Sequence, residues 1–150
     1  MPSSKTDQQK PAPEPKLKLN ASRQFDPWLA EQNISLGFTT YSAGKLFLVG
    51  LQENGRLSIF ERTFERCMGL VAHGNSLYMS ALSQVWKFEN IIKPGTAHDG
   101  YDAVYVPQVG NTTGDLDIHD MAIDKQGRLI FVNTLFGCLA TLSNTHSFAP

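Results

Sequence analysis

The chain has 150 residues, 41% of them hydrophobic, with 13 basic side chains against 14 acidic ones. That is enough apolar material for a packed core, which argues against disorder throughout, and the near-cancelled charge leaves no global positive field for a phosphate backbone to exploit. No apolar run approaches the roughly 20 residues that cross a bilayer, and the N-terminus lacks the apolar core of a signal peptide, so the expected setting is cytoplasmic, without membrane or nucleic-acid partners.

Residues 1–24 are rich in Lys, Pro, Ser and Gln, and they are expected to form a disordered tail because they cannot bury enough apolar surface to offset ordering. Asp26 before Pro27 reads as an N-cap and first helical position, opening a short helix through Trp28, Leu29 and Ala30. From Ser35 onward the apolar period becomes that of strands. Leu46–Leu51 and Leu57–Phe60 flank Glu53, Asn54, Gly55 and Arg56, where Asn-Gly is expected to supply the positive φ angles of a tight hairpin. A second hairpin runs from Gly69–Val71 through His73, Gly74 and Asn75 to Leu77–Ala81, and a strand Gln84–Phe88 follows.

Cys67–Leu82 (CMGLVAHGNSLYMSAL) overlays on His119–Thr134 (HDMAIDKQGRLIFVNT) at an offset of 52, placing Leu77 on Leu129 and Val71 on Ile123. QVWKFE from Gln84 then overlays on CLATLS from Cys138 after two residues are inserted at Phe136 and Gly137. Repeats of about 40–50 residues with about four short strands are the pattern of β-propeller blades, of which closed rings hold about 4–8. The expected fold is therefore all-β: about two to three tandem antiparallel blades, an incomplete propeller over residues 25–150, with units at 35–64, 67–110 and 115–150. Val104–Val106 would supply the outer fourth strand of the second unit. An open arc leaves an apolar face bare, so the expectation is a fragment that needs its missing blades or self-association.

Between Lys93 and Lys125 there is no Lys or Arg, yet His98, Asp99, Asp102, Asp115, Asp117, His119 and Asp120 all fall there, and these seven are the candidate ligand-binding residues. Asp115, Asp117 and His119 alternate, so an extended backbone would aim all three the same way, about 6.6 Å apart, as ligands for a divalent cation such as calcium. Carboxylates about 7 Å apart repel by about 2 kcal/mol at an effective dielectric of 20, which favours a cation, a donor ligand or protonation in a closed site, whereas an exposed loop needs none of these. His98 and Asp99 read either as a base with its orienter or as part of an Asp-Gly turn. Cys67 and Cys138 lack any metal-ligand spacing and are expected to be free and buried. Ser80, Thr134 and Cys138 sit in no nucleophile elbow.

GRLSIFERTFERCMGL from Gly55, HDGYDAVYVPQVGNTTGDLDIHDMAID from His98, GRLIFVNTLFGCLATL from Gly127 and the closing THSF together resemble an uncharacterised bacterial family of propeller-like proteins, a domain of unknown function. The resemblance spans about residues 35–148 and implies a longer full-length protein but no reaction. Gly137 departs from the serine expected there. MAIDKQGRLIFVN from Met121 is more loosely similar to the blade motif of six-bladed propellers that include calcium-dependent lactonases. The function these observations support is a non-enzymatic module for a small polar ligand or a protein partner; the alternative is a metal-dependent hydrolase or lactonase using Asp115, Asp117 and His119.

Overall fold

The computed structural model describes residues 18–150, so the expected tail lies outside the described residues up to residue 17. Helix α1 (Phe25–Gln32) precedes ten strands: β1 (Leu36–Thr40), β2 (Lys45–Leu51), β3 (Leu57–Thr63), β4 (Leu70–His73), β5 (Ser76–Ser80), β6 (Gln84–Asn90), β7 (Tyr105–Thr112), β8 (Ile118–Ile123), β9 (Leu129–Asn133) and β10 (Cys138–Thr141). The helix starts earlier than Asp26-Pro27 suggests, with Gln24 as its cap and no side-chain capping bond. Pro27 is nevertheless accommodated, because the first N–H groups of a helix have no partner within it. Asn33 closes the helix in the left-handed conformation, with its N–H on Ala30 and the N–H of Ile34 on the Leu29 carbonyl.

The strands form three antiparallel sheets, β1-β2-β3, β4-β5-β6-β7 and β8-β9-β10, each in sequence order. They are stacked through two apolar layers. Leu46 and Leu48 of the first sheet meet Leu70, Leu77, Met79, Trp86 and Phe88 of the second. The opposite face of the second sheet, with Val71, Tyr78 and Val85, meets Met121, Leu129, Phe131 and Ala140 of the third. The free side of the first sheet is closed by α1, whose Leu29 packs on Phe47 and Val49. β4 lies against both β1 and β8, so the leading strands of the three sheets run side by side. Ser80 ties the second layer together: buried, its Oγ accepts from the Gly69 N–H at 2.8 Å and donates to the Ile118 carbonyl at 3.0 Å. The outer face of the third sheet stays bare, with Val132 and Leu139 exposed and Leu135 and Phe136 exposed on the β9–β10 turn.

Three turns refine the sequence reading. At the first hairpin, Gln52 faces Arg56 and only Gly55 takes a positive φ, +75°; Asn54 instead accepts the Arg56 N–H on its side chain. The connection is thus a three-residue turn with glycine in the left-handed position. Leu77 and Leu129 do occupy like positions, both buried on the second strand of their hairpins. Val71 does not match Ile123, however, because Val71 pairs with Tyr78 while Ala122 pairs with Ile130. The β4–β5 turn is one residue shorter than the β8–β9 turn, and that residue slips the alignment of the leading strands. Beyond the second hairpin the inserted alignment holds, since Trp86 pairs with Met79 as Ala140 pairs with Phe131.

The β8–β9 turn is organised by Asp124, whose carboxylate accepts the N–H groups of Gln126 and Arg128 and the Nε–H of Arg128. These bonds, the Arg128 backbone N–H foremost, hold its carboxyl below the ordinary aspartate value. A group depressed in the folded state contributes stability above its unfolded pKa, about 4, and loses it as pH falls through the folded pKa. The melting temperature of Asp124→Ala is therefore expected to fall less steeply than that of wild type on acidification below about pH 4; superimposable slopes would show that Asp124 plays no such part.

Candidate functional site

The segment richest in acid is divided by the fold. β7 separates its two groups, so His98, Asp99 and Asp102 belong to the end of the sheets that carries the β2–β3 turn, and Asp115, Asp117 and His119 to the opposite end.

At the second of these ends the expected cation triad has a resident positive charge. Arg66, on the β3–β4 link, forms an ion pair with Asp115 and lies 3.9 Å from Asp117, whose other oxygen is 3.1 Å from His119 Nε2. The three side chains do not alternate along an extended strand. Asp115 precedes β8, Asp117 is left-handed at φ +49°, and the ladder is irregular between Ile118 and Met121, where His119 and Asp120 fall. Asp115 accepts the Asp117 N–H and Asp120 accepts the Met121 N–H, so both carboxylates also act in local turns. Among the described residues no group of three or more His, Cys, Asp or Glu side chains is gathered to hold a metal ion. This cluster joins the β3–β4 and β7–β8 links, and partly exposed pairs of this kind contribute about 0–1 kcal/mol. Arg66→Ala is expected to lower the melting temperature by about 2–4 °C, corresponding to the upper end of that range, as read by circular dichroism; an unchanged melt would leave the ion pairs without a stabilising role.

At the other end the first two sheets splay around a cleft of about 490 Å³. Its cause is the size of the facing residues. Gly37, Gly50 and Ser58 of the first sheet and Ala72 of the second contribute little volume, so Leu48, Phe60, Leu77 and Tyr105 line a space they do not fill. The β6–β7 loop, residues 91–104, closes one side. Its base is pinned by Asn90, whose Oδ1 accepts from Ile92 at 3.1 Å and from Val104 at 2.9 Å. Within it, His98 and Tyr101 exchange both backbone bonds around Asp99 (φ +51°) and Gly100 (φ +81°), a two-residue turn of the kind Asp-Gly favours. His98 and Asp99 thus form the turn, with side chains 3.7 Å apart and largely in solvent.

The turn delivers Tyr101 across the gap. Its hydroxyl accepts hydrogen bonds from Ser58 Oγ at 3.2 Å and Gln52 Nε2 at 3.3 Å, and these two, Ser58 foremost, hold its pKa below the ordinary tyrosine value. With both bonds received, the phenolic proton remains to be donated, and the lowered pKa makes it a stronger donor. Asp102 follows on the cleft rim. Of the seven candidate residues only Asp102 lines the cleft; Tyr101, Ser58 and Gln52 match no catalytic pattern and come from separate strands and turns. The one local hint is a glycine inside each of two strands, Gly37 in β1 and Gly50 in β2.

Cys67 lies on the β3–β4 link and Cys138 opens β10. Both are free, Cys67 is buried with its thiol pKa raised by that burial, and Cys138 is half-buried rather than fully enclosed. Among the described residues no helix is long and apolar enough to cross a membrane. Over residues 23–150 the chain matches the family described as a domain of unknown function (DUF4915). No curated protein and no solved structure matches it.

Proposed function

The chain belongs to the DUF4915 family, and since that membership specifies a domain but no reaction, we propose that it is a non-enzymatic module, built of propeller-type stacked sheets, that binds a small molecule between its first two sheets. The observation that carries this reading is the cleft of about 490 Å³, walled mainly by apolar side chains and furnished with one oriented hydroxyl donor, Tyr101. Sites for small molecules commonly span about 300–1,000 Å³ and combine apolar walls with a few placed polar groups. The propeller-type arrangement is supported by the sequential order of each sheet, the face-to-face stacking and the adjacency of β1, β4 and β8.

This reading shifts the ligand from the polar one suggested by the acidic segment to one with an apolar body. The alternative, a metal-dependent hydrolase, draws no support from Asp115, Asp117 and His119, because Arg66 already occupies the position between those carboxylates. The proposal is tested by titrating the ¹⁵N-labelled chain with 2-phenylethanol, an apolar probe with one hydroxyl. The amide signals of Leu48, Gly50, Leu77 and Tyr101 are expected to shift together and saturably; shifts scattered over the surface, or none, would refute the cleft as a binding site.

A further inference from the structure

The residues that line the cleft carry charge of one sign only. Among the described residues Asp102 is the only acidic residue that lines the space, and no Lys, Arg or His lines it. Just outside, Asp99 lies in solvent 3.7 Å from His98 on the same turn, and the Glu53 side chain passes beside Gly100. Three aromatic rings, Phe60, Tyr101 and Tyr105, contribute to the walls. An anionic ligand entering this space would lose hydration without gaining a positive partner, whereas a cation would face a carboxylate and the electron-rich faces of aromatic rings.

Resting on the cleft reading above, we infer that the ligand is a monovalent organic cation: a primary or secondary amine on an apolar body, with its ammonium directed to Asp102 and its body between Leu48, Leu77 and Phe60. The Tyr101 proton then meets an acceptor on the same ligand, such as an ether, hydroxyl or carbonyl oxygen. Asp102 sits at the rim, so its contribution is that of a solvent-screened ion pair, and it selects among ligands more than it adds total affinity.

The test uses three probes of nearly equal shape, 2-phenylethylamine (cation), 2-phenylethanol (neutral) and 3-phenylpropanoate (anion), titrated into wild type and Asp102→Asn by ¹⁵N chemical shifts. The amine is expected to bind wild type about three- to fivefold more tightly than the alcohol, with the propanoate weakest. In Asp102→Asn, and in 1 M salt where the Debye length falls to about 3 Å, the amine should drop to the affinity of the alcohol. Equal binding of amine and alcohol to wild type, or an amine preference that survives Asp102→Asn, overturns the inference while leaving the cleft as a neutral apolar site. If none of the three probes moves the Leu48, Gly50 and Leu77 signals, both the cleft reading and this inference fail together.

Discussion

Phe131→Ala is expected to destabilise the protein by about 3–5 kcal/mol, the range for removing a buried aromatic ring from a core. Phe131 is 1% exposed, at the centre of the layer where the third sheet meets Val85 of the second. The loss combines the transfer energy of the ring with the cavity left between two sheets whose backbones are held by their own hydrogen bonds and cannot collapse freely. Against a total stability of about 5–15 kcal/mol this is a third or more of the whole, and it should appear as a lower urea midpoint with an unchanged slope. Leu139→Ala is the matched control. Leu139 lies on the opposite, bare face of the same sheet at 65% exposure, so its truncation should stay within about 0.5 kcal/mol. Equal effects at the two positions would refute the face-to-face stacking on which the leading-strand adjacency depends.

Ala72→Trp is expected to weaken binding of 2-phenylethanol at least about tenfold, roughly 1.4 kcal/mol, while leaving the melting temperature within a few degrees of wild type. Ala72 is on β4 opposite Leu77 and lines the cleft. An indole placed there enters space the protein leaves empty, so it should not force the surrounding strands apart, and tryptophan is well accepted on a half-exposed strand. The conservative Ala72→Ser keeps the space open and should bind as wild type does. Undiminished affinity in the Trp variant would place the ligand elsewhere.

The strands and their turns were legible because their causes lie within a few residues: the apolar period from Leu46 to Leu51, the left-handed Gly55, the Asp99-Gly100 pair. Even the misalignment of Val71 with Ile123 stems from one residue of turn length, beyond the resolution of apolar matching alone. Helix α1 was placed correctly but begun late, since Pro27 suits more than one position in a first turn.

The candidate site was less legible. Asp102 and Asp115 are 13 positions apart within one acidic segment, but the eight residues of β7, at about 3.3 Å each, carry the chain roughly 26 Å from one end of the sheets to the other. Arg66 reaches Asp115 across 49 positions, and Tyr101 reaches Gln52 across 49 and Ser58 across 43, separations at which no sequence pattern signals contact. Neither the balancing of the carboxylates nor the placing of the hydroxyl donor has a local cause.

By itself, then, the sequence determined the antiparallel strands, their order within each sheet and the turns between them, because backbone preference and two-residue alternation act over short range. Which sheet faces meet, where small residues leave a cleft, and which charges are already paired were decided only by the tertiary structure. Those outcomes depend on side-chain volumes and charges brought together from distant segments, and a linear chain does not display such sums.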